Sequence, residues 1–338
     1  MNVVLVVLVV LLGLVVLLEV SLRLLFGFGN PPIYLADEKI GYLLAPNQRT
    51  KRFGNRIAIN QYSMRSPSID VTRPSSTLRV LLLGDSVANG AWWTDQERTI
   101  SALMATQREF LVHPGAIFEQ VEVLNASANS WGPRNELAYL QRFGTFNAQA
   151  VVLLINTDDL FATAPTSVQV GRDRNYPNRK PPCAIAEVLS RYVLPTPSIP
   201  DIADVNAAVG VSAASPEEDR VGSNFEAIRQ IQSLTQTANA QFLLAMTPLR
   251  RELGGNSRDY EQTTRQRLVR FTQEQKIAYL DFLSVFDNTE MPESLYRDHI
   301  HLSPCGNQKV SEAIARSLQQ LLQLSATPTP TTDATSHN

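Results

Sequence analysis

From residue 77 onward, two hydrophobic patterns alternate along the chain. Short continuous apolar runs are typical of strands buried on both faces of a sheet, and apolar residues at helical spacing between them predict amphipathic helices. Short links between alternating strands and helices indicate an α/β domain whose parallel sheet is covered on both faces. The predicted strands are Leu78–Leu83, Val121–Leu124, Val151–Ile155, Phe242–Met246 and Ile277–Leu280, and the predicted helices are Thr99–Phe110, Arg134–Phe143, Phe225–Thr237, Tyr260–Glu274 and Gly306–Leu324.

The N-terminal segment is apolar on all sides. Val3–Leu18 contains no polar side chain, and Glu19 and Arg23 are the only charges before residue 37. As one helix, Val3–Phe26 would span about 36 Å, which exceeds the ~30 Å hydrocarbon core of a bilayer. We therefore predict a single membrane anchor at residues 1–27. A cleaved signal peptide is the alternative, but the apolar run is longer than the usual ~7–15 residues, and neither a preceding Lys or Arg nor an A-x-A site is present.

The segments that flank the predicted domain are rich in residues that break helices and strands. Residues 28–76 contain Gly, Pro and Asn clusters, so we expect an irregular arm with a short strand at Arg56–Asn60. Residues 325–338 have no large apolar side chain, which predicts a disordered tail. The remaining span, 77–324, has the length of one α/β domain with a Pro-rich insertion at about 161–221. This insertion is either a cap that covers the substrate or a disordered loop.

Charge and composition exclude several functional classes. Thirty Lys and Arg against 32 Asp and Glu give a formal charge of −2, so a nucleic-acid partner is not expected. Apolar residues make up 44% of the chain, which excludes a disordered acidic protein. The two cysteines, Cys183 and Cys305, cannot form a disulfide framework or a zinc site made of cysteines alone.

The first candidate for chemistry follows the first predicted strand. Ligands of open parallel sheets bind at the carboxyl ends of the strands, and Gly84-Asp85-Ser86 stands at such an end. At a strand-to-helix turn, the hydroxyl of Ser86 would face the cleft and its N–H would lie at a helix N-terminus, where negative charge is stabilised. An ordinary helix-capping serine is the alternative interpretation.

The second candidate is a loop after the last predicted strand. The Asp298-x-x-His301 spacing lets the carboxylate meet the imidazole and orient it, so that His301 can take a proton from Ser86. His299 is an alternative base, although its side chain would diverge from that of the adjacent Asp298. A metal site at these residues would lack a further ligand at a recognisable spacing. We therefore predict neither a metal nor a cofactor.

Taken together, these segments resemble the SGNH (GDSL-type) serine hydrolase superfamily, in its membrane-anchored bacterial form. LLLGDSVANG (81–90) is similar to the first sequence block of that superfamily, and DHIHLSPCG (298–306) is similar to the last. The second and third blocks align with residues 123–132 and 156–160, and the resemblance covers about 77–324.

This resemblance implies a fold and a chemistry. The fold would be a flavodoxin-like three-layer α/β/α domain with a parallel sheet of about five strands, preceded here by the transmembrane helix. The reaction would be hydrolysis or transfer of acyl esters by a triad. By the family pattern, Ser86 would be the nucleophile, His301 the base and Asp298 the carboxylate that orients His301.

The oxyanion site departs from the family pattern at two positions. Ser130 replaces a glycine that acts through its backbone N–H, which a serine also has. Asp158 replaces an asparagine, and an ionised carboxylate would repel the oxyanion. The candidates for this site are therefore Ser86, Ser130, Asn156 and Asp158. A protonated Asp158, a substituting Asn156 and a weak or inactive hydrolase all stay open.

The arm carries a second resemblance. Ile40-Gly-Tyr42, Pro46-Asn47 and Asn60–Arg65 are similar to segments of membrane-anchored or exported bacterial SGNH proteins, several of which act on envelope polysaccharides or lipids. The positive-inside rule, applied to Arg23 and Lys39, favours a cytoplasmic body, but the resemblance outweighs this count and favours an extracytoplasmic one.

Two functions are compatible with these resemblances. One is an esterase or O-acyltransferase acting on an acylated envelope glycan or lipid, and the other is a catalytically silent SGNH-like binding or scaffold module in cell-envelope assembly. Outside the cytoplasm Cys183 and Cys305 could pair, and four aromatic residues could stack on sugar rings. These are Trp92, Trp93, Tyr176 and Tyr192.

Overall fold

The computed structural model describes residues 3–107, 118–194 and 219–326. Its centre is a five-stranded sheet in the order β6-β5-β7-β8-β9, and each neighbouring pair is parallel. Helices pack on both faces of this sheet, so the predicted three-layer α/β/α fold is confirmed. The strands of the chain are β1 Tyr34–Asp37, β2 Gly41–Leu44, β3 Arg49–Arg52, β4 Asn55–Ala58, β5 Thr77–Gly84, β6 Gln120–Ser127, β7 Ala150–Asn156, β8 Gln241–Thr247 and β9 Ala278–Asp281.

The helices follow the predicted order with small shifts at their ends. The predicted helix Thr99–Phe110 is observed over Ile100–Ala105, and its last three positions lie outside the described residues. The C-terminal helix runs to Ala326, so residues 325 and 326 of the predicted tail are helical, and the rest of the tail lies outside the described residues. The helices are α1 Val3–Ser21, α2 Ser86–Asn89, α3 Ile100–Ala105, α4 Pro133–Phe143, α5 Ala184–Val188, α6 Arg220–Thr237, α7 Asp259–Glu274, α8 Phe282–Asp287 and α9 Pro304–Ala326.

The continuous apolar runs are explained by two separate cores. Within β5, Leu81 and Leu83 belong to the core on one face of the sheet, and Val80 and Leu82 belong to the core on the other. Because successive side chains of a strand point to opposite faces, a strand between two helical layers needs apolar residues at every position. All residues of β5 and β7 are accordingly buried.

The arm is more regular than the expected loop with a single short strand. It forms two antiparallel hairpins, β1 with β2 and β3 with β4, and β4 overlaps the predicted strand Arg56–Asn60. Ile40, Tyr42 and Met64 of the arm are buried in the same core as Leu81. The Gly and Asn residues that suggested a loop therefore mark turns between short strands, and the arm is part of the packed domain.

The N-terminal helix stands apart from both cores. α1 is continued by a π-helical turn, Leu22–Phe26, and no residue of α1 is buried. Among the described residues it is the one helix long and apolar enough to cross a membrane, a property that a signal sequence shares. Cys183 and Cys305 are both free thiols, so the disulfide considered from the sequence is absent from the structure.

Candidate active site

The turn after β5 holds Ser86 in a tight strand-to-helix junction. The carboxylate of Asp85 caps the short helix α2 by accepting the N–H of Val87 at 2.8 Å. A side chain at Gly84 would bring a Cβ atom within 2.6 Å of the carbonyl oxygen of Leu154 in the neighbouring strand. Glycine is therefore required for β5 and β7 to approach each other at this point, which positions Ser86 at the carboxyl edge of the sheet.

Ser86, His301 and Asp298 form a hydrogen-bonded line. The Oγ atom of Ser86 lies 3.0 Å from Nε2 of His301, and Nδ1 of His301 lies 2.9 Å from Oδ2 of Asp298. Asp298 also accepts the backbone N–H of His301 at 2.8 Å, which fixes the carboxylate relative to the imidazole. With Nδ1 facing a carboxylate, Nε2 is placed to accept a proton from the serine hydroxyl.

The surroundings hold the Asp298 carboxylate in its ionised form. Partial burial alone would raise its pKa, but hydrogen bonds from the backbone of His301 and Ile300 and from the imidazole outweigh this effect and lower the pKa of Asp298. The ring of Trp93 packs on the imidazole of His301 with a centroid separation of 4.4 Å. The imidazole is therefore held by a charge on one side and by an aromatic ring on another.

The alternative histidine lies outside this line. The His299 side chain is 77% exposed, and its Nδ1 atom is 3.9 Å from Asp298. Within residues 3–107, 118–194 and 219–326, no group of three His, Cys, Asp or Glu side chains is arranged to hold a metal ion. The structure thus brings His301, and not His299, to Ser86.

Two of the four oxyanion candidates line the cavity beside Ser86 and His301. Ser86 and Ser130 both contribute to its wall. Ser130 has φ 58°, a left-handed conformation that favours glycine over other residues. This backbone geometry matches a position where the family carries glycine, and the Ser130 hydroxyl accepts a hydrogen bond from Tyr176 at 2.9 Å.

The other two candidates are used elsewhere. The side-chain amide of Asn156 donates to Oδ2 of Asp85 and to Oδ2 of Asp159, both at 2.9 Å, so its two protons are directed at carboxylates. Its Oδ1 atom accepts the backbone N–H of Asp158 at 2.7 Å and caps the following turn. Asp158 is exposed, and neither Asn156 nor Asp158 is among the described residues that line the cavity.

A cluster of buried carboxyl groups lies behind Ser86. Burial raises the pKa of Asp85, Asp159 and Glu136, and the proximity of Asp85 raises the pKa of the other two further. Both carboxyl oxygens of Glu136 are buried without a hydrogen-bond partner among the described residues. Burial thus disfavours the ionised forms of all three groups, whereas Asp85 accepts hydrogen bonds from the N–H of Val87, the amide of Asn156 and the Ser86 hydroxyl, the last at 3.2 Å, which oppose this effect.

The cavity over the triad has a volume of about 500 Å³ and combines three parts of the chain. Below it lie Ser86 and His301. Its sides come from the arm and from residues 161–194, the described part of the Pro-rich insertion, which we name the cap segment. All four aromatic residues singled out from the sequence line the cavity. The main wall residues of the arm are Phe28, Tyr34, Arg52 and Phe53, and those of the cap segment are Arg174, Tyr176, Arg191 and Tyr192.

Several cavity residues could not be recognised from the sequence. Arg52 lies in a strand predicted as loop, and Asn129, next to Ser130, lines the cavity with its Oδ1 atom buried and unpartnered among the described residues. The Pro-rich insertion contains four basic residues, Arg172, Arg174, Arg179 and Lys180, and of these Arg174 reaches the cavity wall. Basic residues in the insertion and in the run 49–52 were the available signals for a charged cavity.

A family model describes most of the sheet and the site. Residues 82–309 match the model of the GDSL-like lipase/acylhydrolase family. The chain belongs to this family. The matched span of the GDSL-like domain begins in β5 and includes Ser86, Asp298 and His301, whereas α1 and the arm precede it.

Several solved structures are similar to this GDSL-like chain at low sequence identity. A catalytic mutant of an acetylxylan esterase from Geobacillus stearothermophilus is 14% identical, with 73% of this chain and 96% of that chain covered and a TM-score of 0.44. The lipase/acylhydrolase from Enterococcus faecalis is 12% identical, with 72% and 96% covered and a TM-score of 0.42. A member of the lipolytic G-D-S-L family from Veillonella parvula is 11% identical, with 74% and 100% covered and a TM-score of 0.40. No curated protein matches the chain.

Proposed function

We propose that the protein is a membrane-anchored serine esterase or O-acyltransferase that acts on acyl esters of an envelope glycan or a lipid. The observation that carries this proposal is the line from Ser86 through His301 to Asp298 at the floor of a cavity. Membership of the GDSL-like lipase/acylhydrolase family supports ester chemistry, and α1 with the turn that follows it supports a membrane anchor.

In this mechanism Ser86 and His301 form and break the acyl-enzyme. The Oγ atom of Ser86 attacks the ester carbonyl while His301 takes its proton, and Asp298 stabilises the resulting imidazolium. The backbone N–H groups of Ser86 and Ser130 stabilise the charged carbonyl oxygen. The bond to the leaving alcohol then breaks, and that alcohol takes the proton from His301.

The second half of the reaction determines whether the enzyme is a hydrolase or a transferase. Water or an acceptor hydroxyl gives its proton to His301 and attacks the acyl-enzyme, and Ser86 leaves with that proton. Water yields a free acid, whereas a sugar hydroxyl yields a new ester. The arm's resemblance to exported SGNH proteins supports an extracytoplasmic site for this chemistry.

A fluorophosphonate probe tests the proposal directly. The full-length protein should be labelled at Ser86, and a folded Ser86→Ala variant should be neither labelled nor active on p-nitrophenyl esters. Product analysis with and without a sugar acceptor distinguishes hydrolysis from transfer. An unchanged ester turnover by folded Ser86→Ala would contradict the assignment.

A catalytically silent binding module is the second candidate, and one observation favours it. Asn156 and Asp158 supply no side-chain donor to the cavity among the described residues, so the site has fewer oxyanion donors than the family pattern implies. Absence of labelling in folded wild-type protein, together with absence of ester turnover, would favour this module.

A further inference from the structure

The anchor helix is fixed to the domain by specific hydrogen bonds. The carboxylate of Glu19, near the end of α1, accepts the backbone N–H groups of Ala184 and Ile185 at 2.8 and 3.0 Å. The backbone of Phe53 donates to the carbonyl of Phe26 at 3.0 Å. These contacts join the helix to both the cap segment and the arm, and therefore give the cavity a defined orientation relative to a bilayer.

The junction after the helix is also closely packed. Gly27 has φ 75°, and a Cβ atom at this position would lie 1.8 Å from the carbonyl oxygen of Lys51. The buried carboxylate of Glu187 pairs with Arg52 and accepts the N–H of Gly29 at 2.6 Å. The arm, the cap segment and the end of the helix therefore form one packed unit.

Aromatic rings connect the end of the helix to the proposed catalytic histidine. The ring of Phe53 contacts those of Phe26 and Trp92 with centroid separations of 5.8 and 5.1 Å. Trp92 contacts Trp93 at 5.5 Å, and Trp93 contacts His301 at 4.4 Å. The cavity is therefore adjacent to the place where the helix leaves the membrane.

An exposed apolar rim lies beside this junction. We define the rim as the cap-segment residues Leu189, Tyr192, Val193 and Leu194, whose exposed fractions are 45%, 66%, 66% and 56%. Tyr192 also lines the cavity and contacts the ring of Phe28, two residues beyond the helix. Exposed apolar residues mixed with aromatic rings are typical of surfaces that lie at a membrane–water interface.

The first charges of the helix support the same placement of the rim. Glu19 and Arg23 follow the sixteen apolar residues Val3–Leu18 and pair with each other, as expected of charged residues near a membrane–water interface. Glu19 is also bonded to the first turn of α5. The rim follows α5 directly in the chain, so it belongs to the segment that is joined to the helix where the charges begin.

The cavity wall is positively charged. Arg52, Arg174 and Arg191 line it, whereas Glu187 is the carboxylate that pairs with Arg52 and Arg191. Among the residues that the structure describes, Arg174 has no carboxylate within ion-pair distance. Three guanidinium groups beside one paired carboxylate favour an anionic ligand, and arginine is well suited to phosphate oxygens.

We propose that the rim lies in the bilayer interface and that the cavity takes the acyl ester of a membrane-resident amphiphile with an anionic, phosphate-bearing headgroup. This inference rests on the proposed function and narrows its substrate class. The headgroup would contact Arg174 and Arg191, and the ester would reach Ser86 along the aromatic wall without leaving the membrane surface.

The test compares a vesicle substrate with a soluble one on the same enzyme. Full-length protein is reconstituted in vesicles of ether-linked phosphatidylcholine that contain phosphatidylglycerol with a fluorogenic acyl chain. A water-soluble p-nitrophenyl ester measures the chemistry at Ser86 without the bilayer. The ratio of the two turnover rates reports how the substrate reaches the site.

Two matched variants isolate the rim. Val193→Asp places a charge in the proposed interface and should lower the ratio about tenfold, because it reverses the favourable burial of an apolar side chain. Val71→Asp is the control, since Val71 is 51% exposed and lies near the amino end of β5, where its carbonyl accepts a hydrogen bond from Arg79 at 3.0 Å. This control should leave the ratio unchanged.

A third variant tests the role of the positive charge of the cavity wall. Arg174→Gln should reduce the preference for the phosphatidylglycerol probe over the same probe on phosphatidylcholine. An unchanged ratio in Val193→Asp, or turnover of a soluble acetylated oligosaccharide without turnover of the vesicle probe, would overturn this inference and leave the proposed esterase intact. Absence of fluorophosphonate labelling and of soluble-ester turnover would defeat the proposed function, and this inference with it.

Discussion

The Nε2 atom of His301 lies 3.0 Å from the Oγ atom of Ser86, although 215 positions separate the two residues in the chain. Ser86 follows β5, an interior strand next to the edge strand β6, and His301 follows β9, the strand at the other edge. All strands of the sheet are parallel, so the loops after them meet at one edge. The topology therefore brings together the proposed nucleophile and the proposed base, which the sequence keeps far apart.

Replacement of His301 and of His299 by alanine should have unequal effects on catalysis. His301→Ala should lower kcat on p-nitrophenyl esters by on the order of 10²–10⁴-fold, the usual contribution of a general base. His299→Ala is the control, because the His299 side chain is 77% exposed and its Nδ1 atom lies 3.9 Å from Asp298. The kcat of this variant should stay close to the wild-type value. A dead His299→Ala enzyme with an active His301→Ala enzyme would reverse the assignment.

The buried pair of Glu187 and Arg52 should determine the stability of the cap segment. Glu187→Gln leaves the buried guanidinium of Arg52 without its counter-charge, and removal of one partner of a buried pair costs about 3–5 kcal/mol. We expect faster limited proteolysis within the cap segment and a lower free energy of unfolding in urea. Glu226→Gln breaks an exposed pair with Arg229 and should cost less than about 1 kcal/mol. Equal losses in the two variants would contradict this prediction.

Stability should also depend on pH through Glu136. Burial without a hydrogen-bond partner raises the pKa of Glu136 well above the ordinary value of 4.5. Between the ordinary and the raised pKa, the folded state therefore holds a proton that the unfolded chain releases. As a result, the contribution of Glu136 to the free energy of unfolding is complete below about pH 4.5 and is lost as pH rises toward the raised pKa. The slope is at most about 1.4 kcal/mol per pH unit for one group.

The isosteric variant Glu136→Gln tests this dependence. Gln keeps the shape of the side chain and cannot ionise, so the variant should be more stable than wild type at pH 8 and nearly equal to it at pH 4. Urea unfolding at a series of pH values measures the difference. A wild-type stability that does not decline relative to the variant between pH 5 and pH 8 would show that Glu136 does not carry the effect.

The sheet, and the proximity of Ser86, His301 and Asp298, were predictable because each depends on local pattern and strand order. Strands buried on both faces must be apolar throughout, which made β5 and β7 visible in the sequence. A polar motif directly after such a strand marked Ser86, and the Asp-x-x-His spacing marked Asp298 and His301. These predictions required no knowledge of contacts between distant side chains.

Strand β3 and the charged part of the cavity wall were not predictable because the buried residues of β3 are polar. Along β3 the exposed and buried positions alternate, but the buried ones are Thr50 and Arg52, so no hydrophobic alternation appears. Arg52 is buried only because Glu187 lies opposite, 135 positions away. Such a pair can be recognised only after the fold has brought both residues together.

The position of Asp158 in the structure differs from the position that the family alignment predicts. Alignment with the family placed this carboxyl at the oxyanion site, but it is exposed and lies outside the described cavity wall. Partial burial raises the pKa of Asp158. The nearby carboxylates of Glu261 and Glu252 raise it further, and the guanidinium of Arg251 lowers it. Arg251 and Glu252 belong to the turn after β8 and Glu261 to α7, and His299 of the loop that carries His301 also lowers the pKa of Asp158.

Asp158→Asn should therefore change kcat/KM by less than about threefold, against the roughly 10²–10³-fold contribution of one oxyanion donor. A protonated Asp158 that donated to the oxyanion would instead make activity fall as pH rises through its raised pKa, and the Asn variant would remove that decline. We expect the pH profiles of wild type and variant to coincide, because the backbone N–H groups of Ser86 and Ser130 do not titrate. A large gain at neutral pH in Asp158→Asn would show that this side chain reaches the transition state after all.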